Sequence, residues 1–340
     1  MPKAAVDGLV IIAGNVLLVK RKKKPFKSHL ALPGGFLQPY ESYEHALKRE
    51  VKEETGIDAD IINIIGAYSS KERDERDVAS VAYLCKPKHA KHMLKKSNET
   101  MPILMPLHKA IKTKLAFDHN KILVDGLNVY VHYLINIFLN IGREKRAPVL
   151  FIDKGDDFQR LVFIFLSART RDDVTYSACK RLFEAYKNAE QIANADEENI
   201  ANLIKPVAFY KQKAKHLIKI AKYVNENGIP KIKQELLKLP GIGIKTTNVF
   251  LAEKGMPYIG VDTHVHRLSN RLGIVNTNEP KETEKALYFL NDDNKKNVNL
   301  AFVAYGQTIC KAIKPLCDKC PVSALCKYSR ENKTGFWSNI

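Results

Sequence analysis

The sequence predicts a multidomain chain in which an α/β domain over residues 1–145 precedes an all-α domain over residues 146–340. Three observations support this division. The chain has 340 residues, which is enough for two domains with separate cores. Short β-branched runs, which are typical of strands, are confined to the first part of the sequence. Beyond a charged, proline-containing linker at 143–148, apolar residues recur with helical spacing as far as Leu325.

The first domain alternates strand and helix signals. Four β-branched runs predict strands at residues 10–12, 16–19, 61–68 and 78–84, and a polar segment predicts a helix at residues 43–55. The longest apolar stretch, residues 124–141, contains Asp125, His132 and three asparagines. It is too polar to cross a bilayer, so it predicts a buried helix and no membrane partner.

The composition favours a polyanionic partner. The formal net charge is +18 at pH 7, which is typical of proteins that bind phosphate backbones. Nucleic acid is therefore the expected partner, although a surface of solvated lysines explains the same excess. No apolar leader with a cleavage site opens the sequence, and only Cys85 and Cys179 lie outside the C-terminal cysteine group. We therefore expect an intracellular, cytoplasmic or nucleoid-associated protein of a reducing compartment, of unknown oligomeric state.

Four cysteines near the C-terminus form a ligand pattern. The spacing Cys-x6-Cys-x2-Cys-x5-Cys is formed by Cys310, Cys317, Cys320 and Cys326. It is too unequal for two Cys-x2-Cys zinc knuckles, whereas an iron–sulfur cube needs four thiolates from one compact segment, here residues 310–326. The pattern predicts a [4Fe-4S] cluster. A zinc site and unrelated buried thiols are the alternatives.

An acidic helix follows a pair of glycines in the first domain. Glu50, Glu53 and Glu54 stand at positions i, i+3 and i+4 of the predicted helix and so share one face. A hard divalent cation, Mg²⁺ or Mn²⁺, would relieve their mutual repulsion. Gly35 allows a tight turn that brings a carbonyl oxygen near the same ion, and Gly56 fits a left-handed helix cap. A solvated acidic helix without a ligand is the plain alternative.

This segment resembles the Nudix box over its full length, with the pattern Gly35-x5-Glu41-x7-Arg49-Glu50-Val51-x-Glu53-Glu54-x-Gly56. The resemblance implies an α/β/α sandwich that hydrolyses nucleoside diphosphates linked to another moiety. It implies that the three helix glutamates bind the metal and that Glu50 and Glu53 are catalytic. It further implies that Arg49 orients one of these glutamates and that Glu41 supports the site.

Residues 25–36 and 115–119 are similar to the ADP-ribose pyrophosphatase-like branch of these hydrolases. This similarity implies a nucleotide diphosphate substrate such as ADP-ribose or an oxidised nucleotide. The sequence departs from that branch at 86–92, where a basic segment replaces an acidic loop; the acidic stretch 72–77 is the candidate replacement. The departure supports a second hypothesis, in which the domain binds a nucleotide, ADP-ribose or DNA without hydrolysing it.

A glycine-containing turn separates two apolar-periodic segments in the second domain, expected as helices at 231–238 and 245–254. Gly241 and Gly243, which follow Leu239, allow positive φ and expose backbone N–H groups that bind a phosphate. Lys245 begins the second helix, whose positive end favours a neutral amine, the form in which lysine acts as a nucleophile. Asp262 follows seventeen residues later and fits the N-cap of the next helix.

This order of hairpin, lysine, aspartate and cysteine tail resembles the endonuclease III family of helix-hairpin-helix DNA glycosylases over residues 150–327. The resemblance implies an all-α fold with a [4Fe-4S] tail, which removes oxidised pyrimidines from double-stranded DNA and cleaves the strand at the abasic site. It implies that Lys245 attacks C1′ to form a Schiff base and that Asp262 supports base departure and later proton transfers.

The residues themselves leave alternatives open. Lys245 fits an ordinary phosphate contact, and Asp262 fits a plain helix cap. The lesion recognised by a glycosylase of this type is not fixed by these motifs, so another lesion or mismatch is an alternative substrate. A helical domain that only senses damage is a further hypothesis, which the presence of both residues opposes.

Four further residues carry over to DNA contacts. Arg169 and Phe209 stand where the family places side chains that enter the gap left by a flipped base. For Phe209, ordinary core packing is the alternative. Lys311 and Lys314 lie between the first two tail cysteines, where a rigid loop presents cations to a phosphate. Such contacts would offset the free energy of extruding a base, which is on the order of a few kcal/mol.

Overall fold

A computed structural model describes residues 2–91, 93–152 and 154–338 of the protein. Its strands are β1 (Lys3–Ile12), β2 (Asn15–Arg21), β3 (Leu30–Ala31), β4 (Gly34–Phe36), β5 (Ala59–Tyr68), β6 (Val78–Pro87) and β7 (Thr100–Pro106). Its helices are α1 (Tyr43–Thr55), α2 (Leu107–Ala110), α3 (His119–Glu144), α4 (Pro148–Phe151), α5 (Asp157–Ser167), α6 (Asp172–Ala185), α7 (Ala189–Ala193), α8 (Glu197–Ile204), α9 (Tyr210–Asn227), α10 (Lys233–Leu236), α11 (Ile244–Glu253), α12 (Thr263–Leu272), α13 (Pro280–Ala286), α14 (Asp292–Thr308) and α15 (Lys327–Glu331). The expected order, an α/β part followed by an all-α part, is confirmed.

Strand β1 organises the sheet because it pairs with three other strands. It runs parallel to β6, in a register that sets Val6 opposite Val81, and antiparallel to β2 and β4. The path through the sheet is β3-β2-β1-β6-β5, with β4 paired to β1 and β7 paired to β2. The pairing of β4 sets Gly35 opposite Val6, so the glycine turn begins beside the middle of the sheet.

Helix α1 occupies the residues predicted for it. Ser42 caps its N-terminus by accepting a hydrogen bond from the His45 N–H at 3.3 Å, and Gly56 ends it with φ of 79°. The left-handed cap expected at Gly56 is therefore confirmed. The buried residues of the helix are Ala46, Leu47, Val51 and Thr55. Their burial against the sheet fixes the helix beside β4.

The chain separates into two compact units. Unit 1 comprises Met1–Asn136, His266–Leu290 and Ile309–Ile340, and unit 2 comprises Ile137–Val265 and Asn291–Thr308. Unit 1 therefore holds the sheet together with the cysteine tail, and unit 2 holds the predicted hairpin, lysine and aspartate. The division of the sequence into domains at residue 145 stays a prediction.

The C-terminal tail completes the core of unit 1. Trp337 is fully buried in the same apolar cluster as Val6 and Val10 of the sheet and Leu47 of α1. Its indole N–H donates to the Ser323 carbonyl at 2.9 Å. This contact was not predicted, because a single tryptophan far along the chain carries no periodic signal.

The turn between β1 and β2 is bonded to this tail. The Ala13 N–H donates to the Ala324 carbonyl at 3.1 Å, and the Gly14 N–H donates to the Leu325 carbonyl at 2.8 Å. Gly14 has φ of 72°, and a Cβ at this position would stand 2.8 Å from the Leu272 carbonyl oxygen. The turn therefore needs glycine both for its conformation and for the close approach.

Unit 2 packs its helices around an apolar core to which α5 contributes seven buried residues: Phe158, Leu161, Val162, Phe163, Ile164, Phe165 and Leu166. A capping box starts this helix, in which Asp156 accepts from the Gln159 N–H at 2.9 Å and the Gln159 side chain accepts from the Asp156 N–H. The predicted linker at 143–148 is wrong in its extent, because α3 continues to Glu144 and α4 begins at Pro148.

Helix α3 contains the apolar stretch that was predicted to be buried. Of the helices in the described part of the chain, it alone is long and apolar enough to cross a membrane, judged by length and composition only. A core helix of a soluble protein passes the same test. Leu127, Tyr130 and Leu134 are at most 2 % exposed, so this helix contributes to a protein core.

Candidate active sites

Arg49 lies between the carboxylate of Glu41, which precedes α1, and two carboxylates of α1. Its Nε and Nη2 donate to the two oxygens of Glu41 at 2.8 Å each. Its Nη1 donates to Glu50 Oε1 at 2.7 Å and to Glu53 Oε2 at 3.3 Å, and its Nη2 also donates to the Phe36 carbonyl at 3.1 Å. The Arg49 hydrogen bonds lower the pKa of Glu41 to about 2. The guanidinium therefore ties the helix to the glycine turn and orients Glu50.

Glu54 and Glu50 lie in less polar surroundings than Glu41. Glu54 Oε2 accepts the Gly34 N–H at 3.0 Å, and burial raises the pKa of Glu54 to about 8. Burial also raises the pKa of Glu50, despite the hydrogen bond from Arg49. Gly35 fits because it lacks a side chain, since a Cβ there would stand 2.4 Å from the Glu50 carboxyl carbon. The glycine turn and the acidic helix are thus in contact where the sequence predicts the metal.

The predicted metal ligands line one cavity, but they are not arranged around a single ion position. A cavity of about 660 Å³ is lined by Gly35 and by Glu50, Glu53 and Glu54. Across the described ranges, no group of three or more His, Cys, Asp or Glu side chains is arranged to hold an ion. Desolvated carboxylates facing one cavity still have the donor chemistry of a hard divalent cation. Binding it would require the bonds from Arg49 to Glu50 and Glu53 to rearrange.

A buried polar network that was not predicted from the sequence lines this cavity. Asp7 Oδ2 accepts from Arg73 Nη2 at 2.5 Å and from Ser80 Oγ at 2.7 Å. His119 Nε2 lies 3.2 Å from Asp7 Oδ1, and its Nδ1 accepts the Leu32 N–H at 2.9 Å. Burial acts to raise the pKa of Asp7, but the neighbouring His119, Arg73 and Ser80 hold it well below its usual range. The sequence feature that could have indicated this network is Asp7 itself, a charged residue within an otherwise apolar strand.

Two aromatic rings and two arginines form the walls of the cavity. The guanidinium carbon of Arg76 lies 5.3 Å from the Phe36 ring centroid and 5.9 Å from that of Phe117. The guanidinium carbon of Arg21 lies 5.1 Å from the Phe117 centroid. Flat rings beside fixed cations suit a nucleobase and a phosphate.

The stretch 72–77 and the segment 86–92, the two loops considered for an additional acidic site residue, line different cavities. Asp74, from the stretch 72–77, lines the glutamate cavity, but Arg76 Nη2 donates to its Oδ2 at 2.6 Å. In the basic segment 86–92, His89 and Lys91 line a different cavity, which also includes Arg330. His92 lies outside the described residues.

The hairpin before α11 has one glycine in the left-handed region. Gly241 has φ of 77°, and a Cβ there would stand 2.5 Å from His216 Nδ1. Gly243 has φ of −99° and serves as the N-cap of α11, so it does not adopt the positive φ that glycine allows. Leu239 is buried beneath the turn at 4 % exposure. The preceding helix, α10, is shorter than predicted.

Lys245 and Asp262 belong to segments that touch. Lys245 is exposed in the first turn of α11. Gly260 packs directly on this helix, since a Cβ there would stand 2.2 Å from Val249 Cγ2. Two residues later, Asp262 Oδ1 accepts two backbone N–H groups of α12 at 2.9 and 2.8 Å. The aspartate is therefore a helix cap whose second oxygen, Oδ2, takes no part in those two bonds.

Arg169 and Phe209 lie together on the surface of unit 2. Both have left-handed backbones, with φ of 60° and 58°. The Arg169 guanidinium carbon lies 5.7 Å from the Phe209 ring centroid, and Phe209 is 58 % exposed, which excludes core packing. The Thr170 hydroxyl accepts the Ala208 N–H at 3.1 Å, so the two loops are bonded to each other.

Lys213, which was not predicted as a site residue, supports one of these loops. Its buried ammonium donates to the carbonyls of Leu166 and Ala168 at 2.8 and 2.7 Å. Burial, together with the charge of Lys245, lowers the pKa of Lys213 to about 8. The lysine therefore fixes the end of α5 immediately before Arg169. Its position within an amphipathic helix gave no reason to expect a buried charge.

The four tail cysteines belong to unit 1, and none of them forms a disulfide within the described part of the chain. Arg271 Nη1 donates to Cys310 Sγ at 3.4 Å, and the Cys326 thiol donates to the Arg271 carbonyl at 3.2 Å. Burial raises the pKa of Cys326 to about 12, and the neighbouring Cys320 and Cys310 add to this effect. With Cys317 they form a set of four soft donors whose chemistry fits an iron–sulfur cluster. Its thiolates bind different irons and need not converge on one ion.

The loop after Cys310 presents the two predicted cations. Lys311 and Lys314 are exposed, and Lys314 has φ of 52°. Arg271 shapes the loop by donating to the carbonyls of Lys311 and Ala312 at 2.7 and 2.9 Å. This arginine was not predicted, because its role depends on a segment about forty residues away, well beyond local helix contacts.

Comparison with known proteins matches both parts of the chain. The family model for the NUDIX domain matches residues 1–125, and that for the HhH-GPD superfamily base excision DNA repair protein matches residues 162–291. Endonuclease III of Thermotoga maritima is 42% identical over 185 residues, which are 53% of this chain and 87% of that protein. Endonuclease III of Rickettsia felis is 36% identical over 197 residues, which are 56% and 92% of the two chains. The structure of a trapped endonuclease III–DNA covalent intermediate aligns with a TM-score of 0.54 and 28% identity, covering 60% of this chain and 98% of that one.

Proposed function

The chain belongs to the endonuclease III family, and we propose that it is a DNA glycosylase and abasic-site lyase of base excision repair that removes oxidised pyrimidines. A Nudix hydrolase domain precedes this part in the same chain. The observation that carries the proposal is the exposed Lys245 at the start of α11, with Asp262 capping α12 two residues after Gly260, which packs on α11. A DNA substrate is consistent with the expected intracellular location.

In the proposed reaction, the Lys245 amine forms a bond to C1′ of the damaged nucleoside, and the glycosidic bond breaks so that the base leaves with the electron pair. The amine loses its proton and the sugar ring opens to a Schiff base. Loss of a C2′ proton then expels the 3′ phosphate and nicks the strand. Asp262 Oδ2, which lies outside the cap, supports base departure and the later proton transfers.

Duplex DNA with a damaged base or an abasic site is the proposed partner. The backbone N–H groups of the 239–243 hairpin and the start of α11 would hold a phosphate. Arg169 and Phe209, already paired, would fill the gap left by the extruded base. Lys311 and Lys314 would contact the backbone from the cysteine loop.

We assign a [4Fe-4S] cluster to Cys310, Cys317, Cys320 and Cys326. When bound, such a cluster cross-links its loop and so rigidifies it. The chain's own contribution is the set of Arg271 bonds, which hold the carbonyls of Lys311 and Ala312 and so shape the segment between the first two ligands.

We further propose that the Nudix domain hydrolyses a nucleoside diphosphate derivative such as ADP-ribose or an oxidised nucleotide. Glu50, Glu53, Glu54 and the Gly35 carbonyl would hold Mg²⁺ or Mn²⁺, which when bound supplies Lewis-acid activation of a phosphate or water. The walls formed by Phe36, Phe117 and the arginines support a nucleotide ligand. A module that binds a nucleotide or DNA without turnover is the second candidate, favoured by the bonds of Arg49 to Glu50 and Glu53.

Borohydride trapping tests the glycosylase proposal. The full-length protein should give a covalent adduct with duplexes that contain an oxidised pyrimidine or an abasic site, because borohydride reduces the Schiff base to a stable amine. Lys245→Ala should abolish the adduct, whereas Lys222→Ala, which removes an exposed lysine of α9, should not. An adduct of undiminished yield from Lys245→Ala would remove that residue from the role of nucleophile.

A further inference from the structure

His119 is a buried histidine with a polar partner at each ring nitrogen. It is the first residue of α3 and is 3 % exposed. Its Nδ1 accepts the Leu32 N–H at 2.9 Å, and its Nε2 lies 3.2 Å from Asp7 Oδ1. A donor facing Nδ1 and a carboxylate facing Nε2 require the tautomer that carries its proton on Nε2. The ring therefore joins β1 to the residue that directly follows β3.

Asp7, which anchors this ring, is itself held by side chains from other segments. It is 5 % exposed, and its Oδ2 accepts from Ser80 Oγ at 2.7 Å and from Arg73 Nη2 at 2.5 Å. Arg73 in turn donates to Asp118, the residue before the histidine. Turning this buried carboxylate would leave a donor unpaired, at a cost in free energy. Asp7 is therefore a rigid anchor for the ring of His119.

The residues that follow Leu32 form the glycine turn of the candidate metal site. The Pro33 carbonyl accepts the Gly8 N–H at 2.8 Å. The Gly34 N–H donates to Glu54 Oε2 at 3.0 Å. The bond between His119 and Leu32 thus holds one end of a short segment whose other end carries a predicted metal ligand.

We propose that His119 is a positioning residue of the metal site: through Leu32 it holds the glycine turn so that the Gly35 carbonyl and the Glu54 carboxylate face the same cation. This inference rests on the hydrolase site proposed for the first domain. His119, Gly35 and Glu54 line one cavity. A turn with two glycines has wide backbone freedom, so contacts outside the turn have to restrict it. Contacts that orient metal-binding groups typically contribute about 10- to 100-fold to metal affinity or activity.

Two substitutions separate this role from simple packing. The side-chain amide of asparagine reaches the place of Nδ1, whereas that of glutamine reaches the place of Nε2. His119→Asn therefore keeps an acceptor for the Leu32 N–H, and His119→Gln keeps only the contact with Asp7. Glutamine is closer to histidine in volume, so a packing role makes His119→Gln the milder change. The positioning role makes His119→Asn the milder change.

The experiment measures Mn²⁺ binding to the full-length protein without nucleotide, from the electron paramagnetic resonance signal of the free ion. Only binding that Glu54→Gln abolishes is counted as binding at this site. His119→Gln should weaken it by about 10- to 100-fold, and His119→Asn should restore most of the lost affinity. Amide hydrogen exchange of residues 30–37 should be faster in His119→Gln than in His119→Asn. The control is His108→Gln, which changes a partly buried histidine of α2 and should match wild type.

The outcomes separate the inference from the proposal beneath it. Wild-type protein that binds no Mn²⁺ at this site would overturn the metal site and the inference together. Mn²⁺ binding without hydrolysis of ADP-ribose would overturn the proposed hydrolysis alone, because the affinities of the two variants still decide the role of His119. Wild-type affinity in His119→Gln, or equal losses in both variants, would overturn the inference alone.

A measurement on the wild type covers the case in which the variants do not fold. Adding Mg²⁺ should shift the ¹⁵N resonances of the Leu32 amide and of His119 Nδ1, because the bond between them holds the turn that binds the ion. Unchanged resonances at both nitrogens, with Mg²⁺ bound at the glutamates, would overturn the inference.

Discussion

Replacement of Trp337 by alanine tests whether the C-terminal tail is part of the core of unit 1. The side chain is 0 % exposed and packs with Val6, Val10 and Leu47, and its indole N–H donates to the Ser323 carbonyl. Truncating a fully buried tryptophan costs about 3–5 kcal/mol, because apolar burial is lost and a cavity remains. For a unit of this size, that free energy lowers the midpoint of thermal unfolding by roughly 6–20 °C.

The assay combines thermal unfolding with amide hydrogen exchange. Trp337→Ala should lower the unfolding temperature and remove protection from β1 amides, while α5 in unit 2 keeps its protection. Phe151→Ala is the control, because it removes an aromatic ring that is 57 % exposed and should leave both measurements unchanged. Full protection of β1 and an unchanged unfolding temperature in Trp337→Ala would refute the packing argument.

Two further predictions concern the two sites. Because the pKa of Lys213 is lowered to about 8 in the folded protein, the unfolded chain binds more protons between pH 8 and the usual lysine pKa. The free energy of unfolding should therefore rise with pH across this range by up to about 3 kcal/mol relative to Lys213→Met. Chemical denaturation at several pH values measures this rise. An identical pH dependence in both proteins would contradict the lowered pKa of Lys213. Glu54→Gln should lower metal-dependent hydrolysis of ADP-ribose by at least about a hundredfold, which is the usual effect of losing a group that holds the metal. Glu44→Gln, on the same helix, and Lys245→Ala should leave this hydrolysis unchanged. Metal binding without turnover in the wild type would favour the binding-module hypothesis.

Sequence features that lie within or next to an element, such as helix caps and apolar periodicity, predicted that element correctly. The end of α1 was predicted correctly because its cap, Gly56, directly follows the helix that it terminates. The order of an α/β part and an all-α part followed from the change in apolar period. Gly243 shows the limit of such reasoning, because a glycine that permits positive φ does not have to adopt it.

The residues that were missed act through contacts between distant segments. Lys213 donates to the carbonyls of Leu166 and Ala168, and Arg271 donates to those of Lys311 and Ala312. A backbone carbonyl has no sequence identity, so a side chain that binds one leaves no paired signal in a single sequence. The partners of Asp7 are side chains, but Arg73 and Ser80 lie more than sixty residues along the chain, so local spacing does not pair them with Asp7.

Unit 1 contains both the Nudix-matched region and the cysteine tail, and each depends structurally on the other. The Nudix match ends at residue 125, yet the sheet that it describes is bonded to the tail through Ala13 and Gly14 and is completed by Trp337. A fragment ending at residue 145 would keep every residue of the Nudix box and would lose this part of the core. Removing the first domain would conversely take away the turn that holds the carbonyls of Ala324 and Leu325, immediately before Cys326. The folding of the hydrolase region and the order of the cysteine loop are therefore coupled by direct contacts within one unit, although the chemistry proposed for each resides in separate residues.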